Sequence, residues 1–249
     1  MLELSIVLVV VGVLLVAVMN FRSPSRDRSA ENADDFQDQI VLSIYDFAGR
    51  NFRLPCADTD GDGYEGAGSP GSCTTADTSY QVGGVPFKTL GLLTPTVFGL
   101  GFEKNFAYGV YRNTAIDSDL AVLAERTSDV AGDSGYLQLD DFRKALRNAG
   151  ATLSLATDSS RIHVTGDGAS AGSLNCSTNR VRNIAFFVAN GGGQDADGNG
   201  SPFDGVNAPL TWPSGGSTCI ASPNAPVTAL YDDKARAIGF AELLGYVSR

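Results

Sequence analysis

Histidine is almost missing from this chain, with one residue in 249, and none of its four cysteines stands in a C-x-x-C pair. Those shortages exclude the usual zinc arrangements, which gather thiolate and imidazole ligands at close spacing. Basic residues are also scarce: 18 Lys and Arg stand against 28 Asp and Glu, a net charge of -10. Affinity for phosphate backbones comes from clustered Lys and Arg, so a nucleic-acid partner is excluded as well. The Gly-rich stretches GAGSPG and NGGGQDADGNG carry no phosphate-loop Lys. A Ser-His-Asp site would have to use His163, and a lone histidine is most often a hydrogen-bonded structural residue. The chain therefore reads as non-catalytic.

The first residues, MLELSIVLVVVGVLLVAVMNFR, hold a long apolar run with one carboxylate, Glu3, before it. Leu4 to Phe21 carries no charge and would measure about 27 Å as a helix, close to a bilayer core. A cleavable secretory signal has a basic start, a shorter apolar core and a small-residue cleavage site, none of which is present. The segment is expected to be retained. An unpartnered Glu beside a membrane span costs on the order of a few kcal/mol, so its presence asks for a partner cation. Downstream, Phe36, Ile40, Val41, Ile44, Phe47 and Ala48 fall on one helical face, with Asp34, Asp35, Asp38 and Asp46 mostly off it. The expected organisation is an apolar helix over 1–22, its continuation over 23–48, amphipathic from residue 29 and stopped near Gly49, and a globular head over 49–249. Pro24 marks a place where the helix loosens.

Cys56, Cys73, Cys176 and Cys219 permit three disulfide connectivities, and pairing in sequence order is the simplest. Loops of those lengths would stabilise the fold by roughly 3 and 4 kcal/mol on the chain-entropy estimate. Such bonds require an oxidising compartment, and four buried free thiols are the alternative. Twenty-nine glycines, with stretches rich in Ser, Thr, Asn and Asp, predict a loop-rich body. RNIAFFVANGGGQ reads as a buried strand over Ile184–Val188 ending in a Gly turn. YDDKARAIGFAELLGYV reads as a last strand and helix, and LQLDDFRKALRNAG as a short helix closed by Gly150. Asp140–Asp141 and Asp232–Asp233 read as helix-start or turn residues. Phe87, Phe98, Phe102, Phe106, Tyr108 and Tyr111 read as core.

Two hexamers stand out. Asp58, Asp60, Asp62 and Gly63 spell D-x-D-x-D-G; Asp195, Asp197, Asn199 and Gly200 spell D-x-D-x-N-G. Oxygen ligands at alternate positions before a turn-forming Gly can wrap a hard cation such as calcium. Neither is a full EF-hand loop, because Ser69 and Val206 stand where the bidentate Glu belongs. Glu65, the backbone of Tyr64, or Asp204 would have to complete the shells. Calcium here would be structural, and ordinary Asp-Gly turns with solvated side chains are the alternative.

Glu3 with LSIVLVVVGVLLVAVM resembles the N-terminal helix of type IV pilins and type II secretion pseudopilins. The segment RLPCADTDGDGYEG, a second Cys, and VGGVPFKTLGL resemble a subgroup of these prepilin-type proteins. Ala57 stands where that subgroup often has Pro, and residues 114–170 match least well. Two residues precede Glu3 where four are usual, so Met1 is not assigned as the methylated end. The resemblance implies an α+β, pilin-like fold: a long N-terminal helix on an antiparallel sheet, with a disulfide-stapled head. It implies cleavage by a prepilin peptidase, residence in a bacterial inner membrane, and then polymerisation with itself or other pilins by inner-membrane machinery into an extracellular filament. Glu3 would find its cation in a neighbouring subunit's N-terminal amine. A minor, tip-located adhesin, or an anchored calcium-binding protein that never polymerises, are the alternatives.

Overall fold

The apolar face of the first helix is what organises the molecule. The computed structural model describes residues 32–68, 73–92, 101–126, 135–151, 161–165, 176, 180–181, 184–193 and 195–249. Residues 1–31, with Glu3 and the apolar run, lie outside the described residues, as does Phe98. Helix α1 spans 32–51 of the described chain. This helix is short, not the long N-terminal helix that the resemblance implies, and the expected helix over 1–22 and residues 23–31 of its continuation lie outside the described residues. Among the described residues no helix is long and apolar enough to cross a membrane.

All six residues of the expected α1 face are buried. Phe36 meets the rings of Phe87, Phe102 and Phe106, with centroids 6.0, 5.6 and 5.5 Å away. Tyr45 packs edge-on against Phe186 at 5.8 Å and donates a hydrogen bond to Glu242 Oε1 at 3.0 Å. Burying each large apolar side chain stabilises by about 1.5–3 kcal/mol, so a charge at Ile40 or Ile44 would undo the contact. The helix does not stop at Gly49. No neighbour lies within 4 Å of the position its Cβ would take, and the turn continues to residue 51. The stop is made by Phe52, at φ 53°, whose N–H still reaches the Ala48 carbonyl at 3.0 Å.

The main sheet is antiparallel, in the order β1 (Val82–Gly84), β2 (Phe106–Val110), β5 (Ile184–Asn190), β7 (Lys234–Gly239). All seven residues of β5 are buried, as a strand covered on both faces requires. Gly109 stands opposite Phe187, and a Cβ there would come within 2.2 Å of the Phe187 ring. Gln37 of α1 donates to the carbonyls of Val188 (2.9 Å) and Lys234 (3.1 Å), pinning helix to sheet. Ion pairs Asp34–Lys234 and Asp38–Arg236 flank that bond.

Helix α2 (Leu139–Ala151) runs one residue past the expected stop, and Gly150 passes beside Phe240 of α3 (Phe240–Tyr246) with room for a Cβ at ordinary contact distance. Asp141 keeps the helix-start role: its carboxylate accepts the N–H of Gln138 at 2.9 Å and of Arg126 at 2.5 Å. A second sheet, not foreseen, pairs β3 (His163–Thr165) antiparallel with β4 (Arg180–Val181) and parallel with β6 (Cys219–Ile220). The disulfides join Cys56 to Cys73 and Cys176 to Cys219. The fold is a mixed helix-and-sheet body with an antiparallel sheet and two disulfides.

Candidate metal centres

The first acidic loop leaves α1 through Leu54 and Cys56 and is folded by its own carboxylates. Asp58, 2% exposed, accepts the N–H groups of Gly61 (2.7 Å) and Asp60 (3.2 Å) on Oδ1 and of Gly63 (2.8 Å) on Oδ2. Asp60 accepts from Gly68 at 2.7 Å and Asp62, and Asp62 from Tyr64 at 2.8 Å. Gly61, at φ 80°, is needed for the turn, and a Cβ there would lie 2.8 Å from the Trp212 ring. The result brings one oxygen from each of Asp58, Asp60 and Asp62 within 4.8 Å of one another. Burial pushes the Asp58 carboxyl up, while the Gly68 N–H holds Asp60 below its ordinary value.

Glu65 does not join this group. Both its oxygens face Arg53, at 2.5 and 2.6 Å, and Oε2 also accepts the Cys56 N–H at 3.1 Å. Tyr64 lies beneath the Lys88 ammonium, 5.0 Å from its ring centroid, and Lys88 donates to the Asp62 carbonyl. Beside the loop is a cleft of about 190 Å³ lined by Asp58, Asp62, Phe87, Lys88, Glu103 and Trp212 among others.

The second loop follows β5. Asp195 accepts from Asn199 N (2.9 Å) and Gly200 N (2.8 Å), and Asp197 from Gly205 N at 3.1 Å. Asn199 turns inward on the loop: its Nδ2 donates to Asp197 Oδ2 at 3.0 Å and its Oδ1 accepts Ser201 N at 2.6 Å. Asp204, fully buried, accepts Ala196 N (2.9 Å) and Asp197 N (3.2 Å) on Oδ1. Asp195, Asp197 and Asp204 converge within 4.8 Å, so Asp204 occupies the place the sequence spacing suggested for it.

Asp232 and Asp233 depart from their expected role as turn residues. With Asp204 they form a third acidic group, again within 4.8 Å. Asp233 Oδ2 accepts the Asp204 N–H (3.0 Å) and Asn207 Nδ2 (2.9 Å). Burial, then the hydrogen bond and charge of Asp204, pushes the Asp232 carboxyl up to about 6; burial pushes Asp233 to about 7. Neither residue sits in a recognisable spacing with Asp204, so only the tertiary fold could reveal the group.

His163 lies buried in β3 with Nδ1 3.0 Å from the Arg161 carbonyl. The stretch Gly168-Ala169-Ser170-Ala171-Gly172 has the G-x-S-x-G spacing of a nucleophile elbow and lies outside the described residues. Compared with protein-family models, with curated proteins and with solved structures, the chain matches none.

Proposed function

We propose that this chain is a structural subunit of an extracellular, type IV pilus-like filament of a bacterium, polymerising through its N-terminal helix. One observation carries the reading. The apolar run Leu4–Phe21, with Glu3 before it, leads into a helix whose inner face is wholly buried on an antiparallel sheet. A helix fixed to its head in this way leaves the upstream apolar segment as the part available to lipid first and to neighbouring subunits afterwards. Packing against other subunits retains its apolar contacts and supplies Glu3 with an amine, which removes the cost of an unpaired carboxylate. The paired cysteines suit a head that works outside the cytoplasm.

Prepilin peptidase, inner-membrane assembly machinery and other pilins are the partners this reading implies, and no catalytic role is assigned. Calcium is the cofactor proposed for the two acidic loops. Oxygen-only donors at Asp58, Asp60 and Asp62, and at Asp195, Asp197 and Asp204, fit a hard cation better than a soft one. Its role there is to order loops that have no apolar core of their own.

Helical reconstruction of filaments sheared from the producing cells tests the assignment. The expected map repeats this chain along the axis, with Glu3 buried among packed helices, and Glu3→Gln cells insert the protein but yield few filaments. Finding the chain only at filament tips would make it a minor adhesin. Recovery in the membrane fraction alone, or normal filament yield from Glu3→Gln, would overturn the polymerising role.

A further inference from the structure

We propose that Asp204, Asp232 and Asp233 hold one hard divalent cation of the calcium class, which fastens the second acidic loop to the segment entering β7. Asp204 is common to this site and the second-loop group, Asp232 and Asp233 belong to neither D-x-D hexamer, and the proposal does not depend on the filament reading.

Charge and burial carry the argument. Asp204 is fully buried and Asp233 is 3% exposed, yet their carboxylates lie within 4.8 Å of each other and of Asp232. Among the described residues no Lys or Arg makes an ion pair with any of the three. The nearest cation in sequence, Lys234, is turned to Asp34 on α1. Burying like charges together without a counter-charge is unfavourable, and proteins resolve it with a metal or by holding protons.

The hydrogen bonds leave a place for the ion. The donors that reach Asp233, Asp204 N and Asn207 Nδ2, both bind Oδ2. Its Oδ1 is buried and accepts no hydrogen bond, and Oδ1 of Asp232 is in the same condition. A buried acceptor left bare costs more than one exposed to water, so two beside a third carboxylate call for a cation. All-oxygen, anionic donors select a hard cation, and calcium tolerates the irregular geometry that three carboxylates from two segments, two of them adjacent in the chain, provide. The backbone makes room for the site. Gly192, at φ 64°, passes so close to Asp232 that a Cβ there would stand 2.3 Å from Oδ1.

Binding would also act beyond its own ligands. Asp204 uses Oδ1 to hold Ala196 N and Asp197 N, while Asp232 N reaches its Oδ2 at 3.4 Å. Fixing Asp204 therefore fixes the loop that carries Asp195 and Asp197.

The test titrates the full chain, purified in detergent and stripped with chelator, with calcium chloride and separately with magnesium chloride. Calorimetry and thermal unfolding are read in parallel. Asp232→Asn and Asp233→Asn are expected each to weaken one calcium site at least tenfold and to lower the calcium-induced rise in Tm by that site's share. Asp60→Asn, in the first loop, and Asp195→Asn, in the second, are expected to keep that site. Asp232→Asn guards against misfolding of the more buried Asp233 variant. The proposal is overturned if wild type shows no calcium response, which would mean the group is held together by protons. It is also overturned if Asp195→Asn removes the site as fully as Asp233→Asn, which would assign the ion to the loop. A preference for magnesium would overturn the calcium class.

Discussion

Replacing Glu65 by Gln keeps the length and shape of the side chain and removes its charge, which separates the metal-ligand role expected from the sequence from the ion-pair role seen in the structure. In the folded chain Glu65 forms a two-pronged pair with Arg53 at 2.5 and 2.6 Å, and the two side chains are 9% and 17% exposed. Its Oε2 also accepts the Cys56 N–H, so the carboxylate ties the end of α1 to the start of the first acidic loop. A hydrogen bond to a charged group contributes about 1.5–3 kcal/mol, and breaking one side of a fully buried pair costs about 3–5 kcal/mol. Gln retains one acceptor for Cys56 or Arg53, and the pair is not sealed from water. The expected loss is therefore about 2–4 kcal/mol, or roughly 5–12 °C in Tm for a head of about 200 residues.

Urea and thermal unfolding with the disulfides intact, in excess chelator, would read that loss free of any metal contribution. A calcium titration on the same variant reads the other role, and its midpoint should stay within about twofold of wild type. Asp58→Asn should show the reverse emphasis, because Asp58 stands in the group of converging carboxylates. Wild-type stability for Glu65→Gln in chelator, together with a tenfold weaker calcium midpoint, would refute the reasoning. It would show that Glu65 leaves Arg53 to bind metal.

Arg112→Met should destabilise the head by about 3–5 kcal/mol by stranding Asp119, since both side chains are almost wholly buried and Nε meets both carboxylate oxygens at 3.0 Å. Adding Asp119→Asn should recover part of that loss, and a double-mutant cycle by urea unfolding measures the coupling. Without metal, the head should lose stability between pH 5 and pH 8. Asp232 and Asp233 are pushed up to about 6 and 7, so the folded state holds protons more tightly than the unfolded chain. That contribution is complete below about pH 4 and is lost as pH rises through those values; saturating calcium should flatten the profile.

Much of the scaffold was legible because its signals are local and repeated. Six apolar residues at helical spacing gave α1, and the apolar run IAFFV gave the central strand. The stretch YDDKARAIGFAELLGYV gave β7 and α3. The end of α1 was not legible from Gly49, since a glycine ends a helix only when the chain needs a left-handed residue there. Phe52 takes that conformation instead. The second sheet escaped because β4 and β6 are two residues each and β3 only three, too short for any alternation to register. Among the candidate ligands, Asp58, Asp60, Asp62, Asp195 and Asp197 were visible as a spacing. Glu65 was misplaced because its partner, Arg53, is the nearest fixed cation once α1 ends. Asp232 and Asp233 carry no spacing signal, being brought to Asp204 only when β7 pairs with β5.

The distribution of cations explains why the acidic groups stand apart. Arg53, Arg112, Lys234 and Arg236 each answer a carboxylate at a joint of the scaffold: the end of α1, the first disulfide, or the seam between α1 and β7. Arg112 also donates to the carbonyls of Ser79 and Thr75, so its charge closes the chain around Cys56–Cys73 as well. Among the described residues the Asp carboxylates of the acidic loops make no ion pair with Lys or Arg, and Lys88 reaches the first loop only at the Asp62 carbonyl. Those loops can be folded by backbone N–H donors, as Asp58 and Asp204 are, but N–H dipoles do not cancel a buried charge. A metal would, by binding only the folded arrangement. At a hundred times its dissociation constant such an ion adds about 2.7 kcal/mol, a sizeable share of the 5–15 kcal/mol that holds a domain together. If the proposed cations bind, they would order the loops more than the sheet, whose strands are paired without them. The loops, not the sheet, are accordingly where chelation should first be felt.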